Sequence, residues 1–214
     1  HLQSPWALPD YVEFLRRRLR GKNEGFPSVN VVALSLGAMV VLEWMKLYPG
    51  EIEKAFLVNT SLHGSGKFFD RLRPENYLKI FQAITTKDVF EREKITLAIT
   101  SRNLKVQEQW LETFAAYSKA HPIAVENLVR QLAAAGQAKL TDSCPGDIEL
   151  LISQNDNLIN SKCGFQIAEK WSLKPKVHPW AGHDLTLDDP KWVVRQIRET
   201  FQYSAGRPET FTKA

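Results

Sequence analysis

Three residues that could act together on a carbonyl group occur in the order serine, aspartate, histidine along the 214-residue chain. They are Ser35, Asp156 and His183, and each comes shortly after an apolar stretch. A serine hydroxyl becomes a useful nucleophile when an imidazole accepts its proton, and a carboxylate on the other ring nitrogen orients that imidazole. The set would therefore support nucleophilic catalysis. Taken singly, each residue could instead cap a helix, cap a turn or lie in a surface loop.

The serine lies in a stretch typical of a sharp turn between a strand and a helix. Residues 29–48 begin with the β-branched side chains of a buried strand and continue with the apolar periodicity of a helix. Ala33 and Gly37 flank Ser35 two positions away on either side, where a nucleophile elbow accepts only small side chains. Such a turn presents the hydroxyl at the carboxyl edge of a sheet, beside the free N–H groups of the new helix.

Strand-like and helical stretches alternate along the chain, which predicts an α/β fold with a parallel sheet of about four strands. The strands are predicted from residue 29 to the elbow and over 52–59, 148–153 and 176–180. The helices outside the middle of the chain are predicted from Pro9 to Gly21, after Ser35, over 162–171 and over 190–201. Because the carboxyl ends of parallel strands share one edge, we expect the three candidate residues there.

The middle of the chain is predicted to be entirely helical. Apolar periodicities over 75–84, 89–100, 106–120 and 123–135 are those of helices, and no strand-like run occurs between residues 68 and 140. We therefore expect a helical cap at 68–140 inserted into a core formed by 1–67 and 141–214. The last of these helices could instead cover the sheet.

These motifs resemble those of the α/β-hydrolase family. The matching stretches are ALSLGA at 33–38, IELLISQNDNLI at 148–159 and HPWAGHDLTLDDP at 178–190. Among family members, the elbow and the lidded arrangement look closest to proline-iminopeptidase-like and small methyl-ester-esterase-like proteins. The resemblance covers residues 29–60 and 141–200, and leaves the cap without a counterpart.

The resemblance implies a serine hydrolase that cleaves a carboxylic ester, or an amide, of a small molecule through an acyl-enzyme. Ser35 would be the nucleophile, His183 the base and Asp156 the acid, and the backbone N–H of Leu36 would stabilise the oxyanion. Two alternatives remain open. One is acyl transfer to a non-water acceptor by the same triad, and the other is a non-catalytic binding module on the hydrolase scaffold.

The family's first strands have no counterpart before residue 29, so we expect the elbow strand at an open edge of the sheet. An unpaired apolar edge is an aggregation hazard. The chain is therefore expected to be part of a longer hydrolase, or to have an oligomeric or other partner that covers the edge. The second oxyanion donor would lie upstream, and its loss would lower turnover by roughly 100- to 1000-fold.

Other polar residues compete for the same roles. Asp184 is too close to His183 in the chain to reach its ring from behind, and Asp142 and Asp147 precede their strand. Asn59 follows the second strand, where some family members keep their acid. We expect His178 to be packed, and the remaining histidines near the cap to be structural or pocket-lining; they are His63 and His121.

Composition excludes several classes of function. A content of 43% hydrophobic and 24% charged residues is that of a soluble globular protein. A net charge of +4 is modest, and we expect the densest basic cluster to be a solvated helix face rather than a nucleic-acid footprint. The cluster consists of Arg16, Arg17, Arg18 and Arg20.

The sequence predicts neither a membrane span nor a cofactor. No apolar run approaches the roughly 18 residues that a bilayer requires, and no signal peptide opens the chain, so a reduced cytoplasmic setting is expected. Cys144 and Cys163 form neither a disulfide framework nor a metal-spaced set. The run at 64–67, GSGK, lacks the remaining residues of a phosphate loop and favours a hinge.

Aromatic residues are frequent in the predicted cap. They could shape an acyl or alkyl pocket, although packing within the cap is the simpler interpretation for most of them. The set consists of Phe68, Phe69, Phe81, Trp110, Phe114 and Tyr117.

Overall fold

A four-stranded parallel sheet lies at the centre of the protein, as the alternation of strands and helices predicts. The computed structural model describes residues 3–20 and 28–205. The strands lie side by side in chain order, and each pairs in parallel with the next. They are β1 (Val29–Leu34), β2 (Ile52–Val58), β3 (Ile148–Ser153) and β4 (Lys176–His178). Their carboxyl ends therefore meet at one edge.

The place of each strand in the sheet agrees with its sequence. β2 and β3 each lie between two neighbours, and nearly all of their side chains are buried, which explains their near-continuous apolar runs. β1 is the outermost strand of the described sheet, and Asn30 and Val32 are exposed there. Within the described ranges, the elbow strand thus lies at an open edge, as expected.

Helices pack on both faces of the sheet. Leu57 of β2 belongs to the larger apolar cluster, together with residues of four helices. These helices are α1 (Leu8–Arg20), α2 (Leu36–Leu47), α7 (Val125–Gln137) and α8 (Lys162–Lys170). Phe56 and Val58, which point the opposite way, pack against α9 (Leu185–Asp188) and α10 (Pro190–Ala205).

Between β2 and α7 every regular element is helical. The elements are α3 (Phe68–Arg71), a 3₁₀ turn (Pro74–Asn76), α4 (Tyr77–Thr85), α5 (Val89–Thr100) and α6 (Leu104–Ala120). α5 packs between α4 and α6. α7 instead contacts α1 and α2, so the last helix of this segment covers the sheet rather than the carboxyl ends of its strands.

Backbone hydrogen bonds join the two ends of the helical segment, where the chain leaves the sheet and returns to it. The amide of His63 donates to the carbonyl oxygen of Ala138 at 2.7 Å, and the amide of Leu140 donates to His63 at 3.0 Å. This isolated parallel bridge between His63 and Lys139 closes the segment at its base.

Arg16 is an exception to the predicted solvated face. Its side chain is buried, and its guanidinium donates two hydrogen bonds to Glu51, at 2.8 and 2.6 Å. Leu8, Val12 and Arg16 are spaced four residues apart and lie on the same buried stripe of α1. The prediction is therefore wrong for Arg16, because this position faces the core and its guanidinium binds the carboxylate of Glu51 there.

The rest of the basic cluster follows the prediction where it is described. Arg17 and Arg18 are exposed, while the side chain of Arg20 lies outside the described residues.

Across residues 3–20 and 28–205, no helix is both long enough and apolar enough to cross a bilayer. Cys144 and Cys163 are free thiols.

Candidate active site

Ser35 sits in a strained turn between β1 and α2. Its backbone has φ 54° and ψ −115°, a left-handed conformation that is uncommon for a residue with a side chain. Two hydrogen bonds hold the turn to the exit of β2, since the Ser35 amide donates to Val58 at 2.9 Å and the Thr60 hydroxyl donates to the Ser35 carbonyl at 3.0 Å. The local geometry is that of the predicted elbow.

The small residues around the turn allow this close approach. A Cβ at Gly37 would lie 3.8 Å from the Cβ of Ala33, which is ordinary van der Waals contact. Alanine would therefore fit at position 37, although a larger side chain would press on the end of β1. Leu36 is the first residue of α2, so its backbone N–H has no partner within the helix and points out of its positive end.

Asp156 and His183 form a buried pair at the same edge. The Nδ1 of His183 lies 2.8 Å from Oδ2 of Asp156, and both side chains are about 95% buried or more. The other carboxylate oxygen accepts the amides of Leu158 and Ile159 at 2.8 and 3.0 Å. A carboxylate that accepts the proton of Nδ1 leaves the lone pair of a neutral imidazole on Nε2.

The serine lies two strands away from this pair. β2 separates β1 from β3, so the strand ends that carry Ser35 and Asp156 are about 10 Å apart. In the described ranges, His183 hydrogen-bonds to Asp156, and the hydroxyl of Ser35 makes no hydrogen bond. The predicted base therefore contacts the predicted acid, while the predicted nucleophile makes no hydrogen bond with either.

Asn59 holds the loop at 179–184 that carries His183, called the histidine loop below. The sequence did not reveal this role. Its side-chain amide donates to the backbone carbonyls of His183 at 2.7 Å and Gly182 at 3.2 Å, and to the hydroxyl of Ser153 at 2.9 Å. Its side-chain oxygen accepts the amide of Ser153 at 2.7 Å. The available signal was an asparagine directly after a buried strand, because asparagine tolerates the left-handed conformation that it adopts here, at φ 44°.

The competing acids have structural roles. Asp184 caps α9 by accepting the amide of Leu187. Asp142 is exposed beside Lys170, whose hydrogen bond and charge hold the pKa of that carboxyl below its usual range. Asp147 pairs with Lys54 at 2.5 Å.

The other histidines lie apart from the pair. His178 is buried, as predicted, and its Nδ1 accepts the amide of Ala181 at 3.0 Å, while Nε2 faces Asp189 at 3.3 Å. Although burial acts to raise it, the pKa of Asp189 is held below its usual range by the Trp192 amide and by His178. His63 and His121 are exposed.

The glycine-rich run at 64–67 is a tight turn at the base of the helical segment. Ser65 is fully buried, and its hydroxyl both donates to the carbonyl and accepts the amide of Leu62. Gly66, at φ 153°, lies against the thiol of Cys163, so that an added Cβ would be 3.0 Å from the sulfur. Burial raises the pKa of this thiol to about 11.

The aromatic residues of the helical segment are more exposed than packing within a cap would leave them. Five of the six are exposed, and the rings of Trp110 and Phe114 lie 6.0 Å apart. The five are Phe68, Phe69, Phe81, Trp110 and Tyr117. The packing interpretation is therefore wrong for most of the set.

The architecture has many known counterparts, although sequence comparison finds no matching family model and no matching curated protein. MGS-M2, an alpha/beta hydrolase enzyme from a Medee basin deep-sea metagenome library, is 15% identical, with a TM-score of 0.68 over 100% of this chain and 77% of that chain. The esterase RhEst1 from Rhodococcus sp. ECU1013 is 14% identical, with a TM-score of 0.68 over 93% of this chain and 74% of that chain. An alpha/beta hydrolase fold protein from Chitinophaga pinensis is 15% identical, with a TM-score of 0.68 over 94% of this chain and 74% of that chain.

The chain has the α/β-hydrolase fold. The fold predicted from the sequence motifs is thereby confirmed. The structural similarity extends well beyond the residues of those motifs. At these identities the likeness concerns the α/β-hydrolase architecture, since one fold can serve many chemistries. The chemistry must therefore be argued from the side chains at the carboxyl edge.

Proposed function

We propose that the chain is a serine hydrolase that cleaves a carboxylic ester of a small molecule. The observation that carries this proposal is the buried hydrogen bond between His183 and Asp156 at the sheet edge to which the strained turn presents Ser35. A buried His–Asp pair and a serine at the same sheet edge have the chemical types and the chain order of a hydrolase triad. The name of RhEst1, an esterase of the same fold, favours an ester.

The first half of the reaction forms an acyl-enzyme. Nε2 of His183 takes the hydroxyl proton of Ser35 as Oγ attacks the carbonyl carbon of the ester. Asp156 keeps the imidazole in the required tautomer and stabilises its positive charge. The backbone N–H of Leu36 donates to the oxyanion of the tetrahedral intermediate. The C–O bond to the alcohol then breaks, and the alcohol leaves with the proton from His183.

The second half regenerates the serine. A water molecule gives a proton to Nε2 of His183 and attacks the acyl carbon. The intermediate collapses, the bond between Oγ and the acyl carbon breaks, and the proton returns to Ser35. The carboxylic acid is released, so no cofactor or metal is needed for the atoms and charges to balance.

We also propose that residues 68–140 include a cap over this edge. Three side chains of the helical segment donate hydrogen bonds to backbone carbonyls of the loop that carries Asp156. Arg73 donates to the carbonyl of Asp156 at 3.0 Å, Asn76 donates to Asn157 at 2.6 Å, and Arg102 donates to Asn155 at 3.2 Å. The exposed aromatic side chains of this segment offer apolar surface for an acyl or alkyl group.

Labelling with a fluorophosphonate and turnover of p-nitrophenyl esters test the proposal. We expect the probe to attach to Ser35, as located by peptide mass spectrometry, and Ser35→Ala to abolish both labelling and turnover. Ser172→Ala is the matched control, because Ser172 has the same φ of 54° but lies after α8, away from the triad. It should retain both activities.

A folded wild-type chain that neither reacts with the probe nor hydrolyses esters would contradict the proposal and favour a binding module. Diversion of the acyl group to added alcohols or thiols, with labelling intact, would point to acyl transfer by the same triad.

A further inference from the structure

A buried carboxylate connects the helical segment to the histidine loop. Asp188, at the end of α9, is 4% exposed, and its oxygens accept hydrogen bonds from two separate parts of the chain. On one side, Oδ2 accepts the amide of Gly182 at 2.6 Å. On the other, it accepts the amide of Arg102 at 2.9 Å, while Oδ1 accepts the hydroxyl of Ser101 and the amide of Asn103.

The two parts of the chain also touch directly. The amide of Asp184 donates to the carbonyl of Thr100 at 2.8 Å. A Cβ on Gly182 would lie 2.8 Å from the same carbonyl oxygen and 3.0 Å from the amide of Arg102, so only glycine fits at 182. The junction between α5 and α6 therefore rests against the residues on either side of His183.

The carboxylate has no cationic partner to compensate for its burial. No lysine or arginine in the described ranges forms an ion pair with Asp188, and its four partners are all hydrogen-bond donors. A buried carboxylate is stable only while such donors surround it. Pulling the junction away from the loop would remove three of the four, so the structure strongly favours the docked arrangement.

We propose that Asp188 is a positioning residue that couples docking of the α5–α6 junction to the orientation of His183. This proposal rests on the proposed function of His183 as the catalytic base. Asn59 holds the carbonyls of Gly182 and His183 from the side of the sheet, and Asp188 holds the amide of Gly182 from the side of the helices. The imidazole is thus oriented by Asp156 through its ring and by these two residues through its backbone.

Asp188→Asn tests the proposal in the full chain. The substitution keeps the shape but replaces one acceptor oxygen with an NH₂ group that faces donors. We expect kcat for an ester to fall about 10- to 100-fold, as for a misplaced catalytic group. We also expect KM to change little, because the substitution displaces the imidazole and leaves the substrate contacts in place. Asp142→Asn makes the same chemical change at a fully exposed site and should leave both values unchanged.

Hydrogen exchange provides a readout that does not depend on activity. In Asp188→Asn we expect faster exchange both at residues 100–103 and at residues 180–184, since each side loses its anchor. Unchanged exchange at 180–184, or wild-type kcat, would overturn the proposal. If ester turnover is absent in the wild type, the proposed function fails, and joint exchange of the two segments still decides the coupling.

Ser101→Ala decides the matter if Asp188→Asn fails to fold. This variant removes a single hydroxyl donor from Asp188 and leaves the backbone donors in place. We expect a smaller version of both effects, with kcat reduced severalfold and exchange increased at both segments. Wild-type values for both measurements would overturn the proposal.

Discussion

Asn59 shows how much of the site depends on residues that touch no substrate. Its single side chain links β2, β3 and the histidine loop through four hydrogen bonds. An asparagine serves here because it offers donors to two carbonyls and an acceptor to an amide at the same time. An aspartate at this position would be almost identical in shape but would be unable to donate.

We therefore predict that Asn59→Asp lowers both stability and ester turnover. The carboxylate would face the carbonyl oxygens of Gly182 and His183, and the loss should be about 2 to 3 kcal/mol of unfolding free energy, with kcat reduced about 10-fold or more. Urea unfolding and steady-state kinetics measure the two effects. Asn30→Asp, at an exposed position of β1, is the control, and equal behaviour of the two variants would contradict the role of Asn59.

The sequence was sufficient to select Asp156 and His183 as a pair, and it missed the residues that hold them. Asp156 and His183 were found because each follows its own strand, a local pattern. Asn59 and Asp188 each contact a residue that is distant in the chain. Asn59 binds Gly182, and Asp188 binds Ser101. Such contacts form only when the sheet and the helices have packed together, so the spacing of residues in the sequence does not predict them.

At the scale of elements, α1 is joined to the sheet by a polar cluster as well as by apolar contacts. Glu51, just before β2, accepts two hydrogen bonds from Arg16 and one from the indole of Trp44 at 2.8 Å. The guanidinium also lies over the ring of Tyr48, 3.2 Å from its centre. The cluster fixes how α1 crosses α2.

We predict that Arg16→Ala lowers the unfolding free energy by about 3 kcal/mol, because it removes a buried guanidinium and its two hydrogen bonds to Glu51. Chemical denaturation followed by circular dichroism measures the change. Arg17→Ala, one residue along and exposed, should stay within about 0.5 kcal/mol of the wild type. A loss at Arg16 no larger than the loss at Arg17 would show that the cluster contributes nothing.

Periodicity located most elements but gave little about their ends and partners. α5 was predicted over the residues that it occupies, because its N-cap, Asp88, and its helical pattern are both local. β4 is shorter than predicted, ending at His178, because the His178 ring accepts the amides that follow and turns the chain. The burial of Arg16 was missed because a charged residue within an arginine run normally favours solvent, and its partner lies 35 residues away.

At the scale of the whole molecule, the fold class could be predicted from the sequence, and the docking of the helical segment could not. Alternating strands and helices permit few arrangements, and the strand order is the simplest of them. The contacts of the α5–α6 junction with the loops at the carboxyl edge depend on residues such as Arg102 and Asp188, whose types alone suggest solvent exposure.

Global stability should depend on alkaline pH through Cys163. Burial raises the pKa of this thiol to about 11, above that of an unfolded cysteine at about 8.5. The neutral thiol therefore favours the folded state fully below about pH 8.5, and this contribution, up to about 3 kcal/mol, is lost as pH rises toward 11. We predict a matching decline in the urea unfolding free energy.

Cys163→Ala should be less stable at neutral pH but should show a shallower decline between pH 9 and 11. Cys144→Ala, at a partly exposed thiol, should keep most of the wild-type decline. Parallel curves for the wild type and Cys163→Ala would mean that other groups control alkaline unfolding.

The bridge between His63 and Lys139 has a consequence for the folding of the chain. β2 and β3 pair directly, yet residues 59–147 separate them in the chain. The entropy lost on closing a loop grows only with the logarithm of its length, by about 0.6 kcal/mol per doubling. The loops between the helices of this segment can therefore lengthen or shorten at little cost in closure entropy, while the long separation slows folding.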